Sequence, residues 1–209
     1  MKIGIIGATG KLGKLLLKEA IDRGHEVTPI IRDANKLDYS TKNLIEKSIN
    51  ELTTEDINSF DNVISAFGVP MGNGEIHISI SKKLINIFEG TNIRLLIVGG
   101  AGSLYIDNNS KKKLIDTGDL PNDVQKTAEG QNISLQLLRE SDVNWSYFSP
   151  SANFDKDGLK TGNYKFGNNV LLKNNLGKSY LSYSHAALAI LDEIEKPNYV
   201  KKQFTVISE

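Results

Sequence analysis

Short, strongly apolar runs alternate along this chain with longer segments in which apolar residues return every three or four positions. Lys2 to Ile6 is apolar and largely β-branched apart from Lys2 and Gly4, which predicts a strand buried on both faces of a parallel sheet. Lys11 to Arg23 then places Leu12, Leu15, Leu16, Glu19 and Ala20 at helical spacing, with Gly24 as the stop. Further strands are predicted at Glu26 to Ile31, Leu44 to Ile49, Asn62 to Phe67 and Arg94 to Val98. A helix is predicted over Glu75 to Glu89, carrying Ile76, Ile80, Leu84, Ile87 and Phe88 on one face.

A longer helix, Pro121 to Glu140, precedes a strand at Asn144 to Phe148. Ser151 to Lys178 is rich in Gly, Asn and Lys, and reads as loops and short strands forming a cap over the carboxyl edge of the sheet. A helix at Ser184 to Glu195 and a strand at Gln203 to Ile207 follow. Strands alternating with helices imply right-handed crossovers, so the expected fold class is α/β: one doubly wound Rossmann domain over residues 1–209, its sheet mainly parallel and helices on both faces.

The first turn carries the most specific chemistry. Gly7-Ala-Thr-Gly-Lys-Leu-Gly13 follows a buried strand and opens an amphipathic helix, the context in which a glycine turn binds a dinucleotide. Gly7 serves the tight turn, Gly10 lets phosphate approach the backbone, and Gly13 allows close helix packing. Thr9 can donate its hydroxyl to phosphate, and Lys11 and Leu12 offer helix N-terminal amides. The end of the second strand should meet the cofactor's ribose, and it reads Ile31-Arg32-Asp33. Arg32 has the planar fork that suits a 2′-phosphate, with Lys36 to assist, which favours NADP(H); Asp33 facing the ribose would select NAD(H) instead. Ala66, Phe67 and Gly68 after the fourth strand are expected along the adenosine and diphosphate, although Phe67 can equally be core. Gly99 and Gly100 after the fifth are expected at the nicotinamide ribose, or simply form a tight turn.

Composition narrows the alternatives. Lys+Arg and Asp+Glu both number 25, so no net field draws the chain to nucleic acid or an anionic membrane. There is no Cys, and His25, His77 and His185 are scattered, which disfavours disulfides and metal clusters. His77 reads as lying on the exposed or packing side of its helix. The opening apolar run is too short for a signal peptide, and nothing approaches the ~20 apolar residues of a membrane helix, so a cytoplasmic location is expected.

Several stretches together resemble a known group: the glycine turn, Val63 to Gly68, Val98-Gly-Gly-Ala-Gly-Ser-Leu104, Trp145 to Pro150, Thr161-Gly-Asn-Tyr164, and Gly177-Lys-Ser with the helix after it. The chain is similar to the atypical short-chain dehydrogenase/reductases described as NAD(P)H-binding or putative NADH-flavin reductase proteins, related to biliverdin IXβ (flavin) reductase and to NmrA-like proteins. The resemblance implies NAD(P)H binding and adds Ser149 and Pro150 to the expected cofactor contacts. His185 stands where it leads to Asp.

Ordinary members of that superfamily protonate a carbonyl with a Tyr and a Lys four residues later. Here the residues four after Tyr105, Tyr147, Tyr164, Tyr180 and Tyr183 are Asn109, Ser151, Asn168, Ser184 and Ala187. A flavin needs no such acid, since solvent can supply the proton. Hydride transfer to a flavin or similar small conjugated acceptor is therefore the expected activity, and a non-enzymatic NADP(H)-binding sensor of the NmrA-like kind is the alternative. Sugar-nucleotide epimerase or dehydratase chemistry, which relies on the missing pair, is disfavoured. Ser103 is a candidate orienting or proton-relaying side chain, or else a turn-former; Phe154, Tyr164 and Phe166 offer flat surfaces to an aromatic substrate, or else form cap core.

Overall fold

β1 (Lys2–Ile6) passes through the glycine turn into α1 (Lys11–Asp22), followed by β2 (Glu26–Ile31), β3 (Ile45–Glu46), a single turn α2 (Thr54–Ile57) and β4 (Asn62–Ser65). Then come α3 (Gly74–Phe88), β5 (Arg94–Val98), α4 (Asn122–Arg139) and β6 (Trp145–Phe148). The last elements are β7 (Asn153–Asp155), β8 (Tyr164–Gly167), β9 (Tyr180–Ser182), α5 (Tyr183–Glu195) and β10 (Lys202–Ser208). The computed structural model describes residues 1–160 and 162–209, so Thr161 of the Thr161-Gly-Asn-Tyr164 stretch lies outside the described residues.

The eight-stranded sheet has the order β3-β2-β1-β4-β5-β6-β10-β8. All neighbours pair in parallel except β8, which runs antiparallel to β10. The fold is thus Rossmann-like and doubly wound, and the direction of winding reverses between β1 and β4. Such a reversal opens a crevice at the carboxyl ends of those strands, where the outgoing loops diverge to opposite faces.

Each face of the sheet is covered by helices with an apolar stripe. Leu12, Leu16 and Leu17 of α1 pack on one face with Ile190, Leu191 and Ile194 of α5. Ile80, Leu84 and Phe88 of α3 pack on the other with Leu135 and Leu138 of α4. The second pair of helices approaches closely at two glycines: a Cβ on Gly130 would sit 2.1 Å from the Gly74 carbonyl oxygen. That contact fixes where α3 begins and holds its first turn beside the crevice.

Three sequence expectations need correction. The strand predicted over Leu44 to Ile49 is reduced to Ile45–Glu46. It is an edge strand, Leu44 is exposed, and Ser48 and Glu51 exchange capping hydrogen bonds that turn the chain into a 3-10 helix at Ile49–Glu51. Ile76 is also exposed, so the buried stripe of α3 runs through Ile80, Leu84, Ile87 and Phe88 without it. Residues 151–178 do not all cap the sheet, because β8 joins it and pairs with β10. Only β7, paired with β9, forms a separate small ladder.

No helix among the described residues is long and apolar enough to cross a membrane.

Candidate functional site

The glycine turn is built from two backbone requirements. Gly7 has φ +79°, a conformation that a side chain disfavours, and its amide donates to the Ile30 carbonyl at 3.1 Å, tying the turn to the end of β2. Gly13 sits where α1 meets that turn, and a Cβ there would lie 2.1 Å from the Gly7 carbonyl oxygen. The Gly10 amide closes the turn onto Gly7 at 2.9 Å, and α1 starts from Gly10 with no side-chain cap and no acidic residue in its first turn. The first-turn amides and the positive end of the helix dipole are therefore left to an external anion. A diphosphate fits this cradle, since no side chain caps the helix start and the first turn itself carries no carboxylate.

Beside the turn lies a cleft of about 600 Å³ at the carboxyl ends of the strands. Its floor is Gly10, Lys11 and Leu12 from α1, Ala66 to Gly68 after β4, and Val98 to Gly102 after β5. One wall comes from the α3 and α4 side: Val69, Met71 and His77, then Leu114 and Leu120, then Val124, Thr127, Ala128 and Gln131. The other wall comes from Pro150 to Ala152, Phe154 and Tyr183, the last two rings lying 4.2 Å apart. Lys11 reaches across the mouth to Asp157 at 3.1 Å, an exposed ion pair worth little in stability.

Of the residues singled out from sequence, Gly10, Lys11, Leu12, Ala66, Phe67, Gly68, Gly99, Gly100 and Pro150 line this cleft. Gly7 and Gly13 shape the turn behind it, Thr9 lies half-buried in that turn, and Arg32 is exposed just past the end of β2. Asp33 is turned to its own chain: its carboxylate accepts from the Asn35 amide at 3.1 Å and pairs with Lys36 at 3.4 Å. The Asn35 amide holds that carboxyl below the usual range, against a smaller opposing effect of desolvation, with Lys36 adding to it.

Ser103 and Ser149 are corrections, because both lie beneath the floor and outside the cleft. Each is buried; their hydroxyls are 3.1 Å apart, and the Gln203 carboxamide donates to both at 2.9 and 3.0 Å. Arg139 in turn donates to the Gln203 carbonyl oxygen. Buried hydroxyls need partners, and these serine side chains find them below the strand ends. Tyr164 and Phe166 also turn away, since β8 belongs to the sheet: the Tyr164 hydroxyl donates to Asp192, and Phe166 stacks on Tyr199. Phe154 alone of the three faces the cleft.

The structure brings in residues that the sequence reading set aside. His77 lies in the cleft wall, half-buried, with its ring edge-on to Phe67 at 5.9 Å. The signal was present: His77, Ile80 and Leu84 follow one helical stripe, so an inward side chain one turn into α3 faces the crevice. Burial alone lowers its pKa, which favours the neutral ring at neutral pH. The Thr127 hydroxyl donates to the Asp123 carbonyl at 2.9 Å and accepts the Gly72 amide at 2.8 Å, pinning the Met71 loop to α4. Gln131, four residues on, rests its carboxamide against Gly100, where a Cβ would meet the Gln131 Oε1 at 2.1 Å. Tyr183 is pushed above the ordinary phenol pKa by burial, with Lys11 opposing. His185, at the start of α5, is buried with Nδ1 2.7 Å from the Ser208 hydroxyl, and it faces away from this cleft.

Comparison with known proteins agrees with this geometry. Residues 7–197 match the family model described as NAD(P)H-binding. The chain is 44% identical to the uncharacterized protein YwnB of Bacillus subtilis (strain 168), covering 100% of this chain and 99% of that one. Among solved structures it is similar to SP1627, a putative NADH-flavin reductase from Streptococcus pneumoniae TIGR4, at 38% identity with a TM-score of 0.94 and full coverage of both chains. It is also similar to a putative epimerase from Bacteroides thetaiotaomicron, at 30% identity with a TM-score of 0.85, over 99% of this chain and 96% of that one. A match that starts at the first glycine of the turn and runs through α5 leaves one assignment: the chain belongs to the NAD(P)H-binding family of Rossmann-like oxidoreductase-type proteins.

Proposed function

We propose that this protein is an NAD(P)H-dependent reductase that passes hydride to a flavin or a similar conjugated acceptor, with NADP(H) preferred. The observation that carries the reading is the character of the wall facing the glycine floor. Val69, Met71, Leu114, Leu120 and Val124 make it apolar, and no carboxylate, Lys or Arg of α3 or α4 lines it. The polar pair that α4 presents at i, i+4 spacing is Thr127 and Gln131, and neither side chain is an acid of the strength of a phenol. Such a chamber suits a flat, uncharged, conjugated ring and offers a sugar phosphate no counter-charge. The similarity to the putative NADH-flavin reductase of Streptococcus pneumoniae supports the same reading.

Roles follow from position. The amides of Lys11 and Leu12 hold the diphosphate, Ala66 to Gly68 and Gly99 to Gly100 give the dinucleotide close passage over the strand ends, and Phe154 and Tyr183 close the far wall. When bound, the reduced nicotinamide supplies the hydride. The preference for NADP(H) is supported by Arg32, whose side chain has no ion-pair partner among the described residues, while Asp33 is occupied in capping its own turn. Arg32→Ala should weaken NADPH binding and leave NADH binding unchanged. Loss of a charged hydrogen bond of about 1.5–3 kcal/mol corresponds to about 10- to 150-fold in Kd, read by titrating both cofactors. Equal weakening of both, or of neither, removes the NADP assignment.

The activity itself is tested by following oxidation of NADPH and NADH by the purified protein with riboflavin, FMN and quinones. Acceptor-dependent turnover is expected. Tight cofactor binding without turnover on any acceptor would instead favour a sensor that responds to cofactor redox state.

A further inference from the structure

This inference rests on the reductase reading and adds a catalytic residue to it. Hydride transfer to a conjugated carbonyl leaves negative charge on the acceptor oxygen, and the cleft contains few groups able to neutralise it. Lys11 is paired with Asp157 at the mouth. The Thr127 hydroxyl already donates to Asp123 and accepts from Gly72. Tyr183 is packed against Phe154 on the opposite wall, and burial holds its proton more tightly than an ordinary phenol does. Gln131 can donate a hydrogen bond but cannot give up a proton. His77 is different: it lies in the apolar wall, half-buried, it has no hydrogen-bond partner among the described residues, and Phe67 fixes its ring edge-on.

We propose that His77 hydrogen-bonds the carbonyl of the acceptor and supplies the proton that accompanies hydride transfer. The electron-poor atom of the acceptor, a ring nitrogen in a flavin or an atom of the conjugated carbonyl system in a quinone, gains the hydride with its electron pair from the reduced nicotinamide, and the heteroatom left with the negative charge gains the proton from the His77 imidazolium. The imidazole is then reprotonated from solvent. The sum is NAD(P)H + H⁺ + acceptor giving NAD(P)⁺ + the two-electron-reduced acceptor. Charged groups on the surrounding elements are Glu75, Lys82 and Lys83 on α3, Asp123, Lys126, Glu129 and Arg139 on α4, Asp116 and Asp119 before α4, and Lys11 on α1; none contributes to the lowered pKa of His77, whose cause is burial. The imidazolium is therefore a minor but stronger acid at neutral pH, and acceptor reduction should accelerate as pH falls toward the pKa of His77.

The test uses menadione as the probe. In the wild-type protein kcat/KM for menadione should rise as pH is lowered from 8 and level off below the His77 pKa. His77→Gln should lower it about 10²-fold or more at the acid end and flatten the profile, with NADPH affinity retained. Independently of turnover, the His77 imidazole resonance, assigned by its loss in His77→Gln, should titrate below an ordinary histidine, and saturating menadione should raise that pKa. A His77→Gln profile that keeps the wild-type pH dependence overturns the proposal, as does a resonance unmoved by saturating menadione. Failure of the wild type to turn over any acceptor overturns the reductase reading and the proton transfer with it, whereas turnover with an unmoved resonance overturns only the role of His77.

Discussion

Glu193→Ala is expected to destabilise the protein by about 3–5 kcal/mol while leaving NAD(P)H affinity intact below the unfolding transition. Glu193 on α5 and Arg94 at the start of β5 form a buried ion pair, with side-chain exposures of 1% and 6%. The guanidinium is also held by the Ser146 hydroxyl, at 2.6 Å and 3.1 Å, and by the Glu193 carbonyl oxygen at 2.9 Å. The carboxylate accepts the amides of Asn198 and Tyr199, at 3.1 and 2.9 Å. Removing it leaves a buried cation without its counter-charge and two backbone donors without acceptors. A domain whose whole stability is of order 5–15 kcal/mol would lose a large part of it. Arg94 starts β5, at the end of the sheet away from the cleft, so the cofactor cradle should be untouched. Urea unfolding reads the change as a lower midpoint at constant slope. Arg94→Met combined with Glu193→Leu should recover the part of the loss that comes from the unpaired buried cation, while the Asn198 and Tyr199 amides stay without their acceptor. A single-variant loss below about 1 kcal/mol would show that water reaches the pair.

Gly13→Ala should act at the other end of the sheet and weaken cofactor binding as well as the fold. The new methyl would lie 2.1 Å from the Gly7 carbonyl oxygen and 2.8 Å from the Ala8 Cα, both backbone atoms that cannot rotate aside. The first turn of α1 must move off the glycine turn, at a cost of about 1–3 kcal/mol in stability. The amides of Lys11 and Leu12 move with it, and displacing charge-assisted hydrogen bonds to a diphosphate should weaken NADPH and NADH alike by about tenfold or more. Titration of both cofactors, with circular dichroism to confirm the folded state, measures this. Native affinity in a folded Gly13→Ala protein would mean that the phosphates lie elsewhere.

The two variants mark the boundary between what local pattern carries and what it does not. Gly13 announces itself, because a glycine turn between a buried strand and an amphipathic helix has a single geometric use. The pairing of Arg94 with Glu193 does not: the residues are 99 positions apart, and nothing local to either specifies the other. β3 misled for a related reason, since an apolar stretch at a sheet edge has one neighbour and loses to a capping box at Ser48. β8 reads as cap in the sequence because its antiparallel pairing with β10 depends on strand order.

Hydrophobic periodicity and the glycine turn by themselves determined the α/β class, most element positions and the floor of the cleft, because strand burial, helical spacing and turn conformation are set within a few residues. Tertiary structure alone decided which side chains meet above that floor. It turned Ser103 and Ser149 down into a network with Gln203, kept Tyr164 and Phe166 in the sheet, and brought His77 to the apolar wall opposite Phe154. Helical spacing marks His77 as inward, but its seat in that wall depends on how α3 and α4 pack through Gly74 and Gly130, a contact between residues distant in sequence.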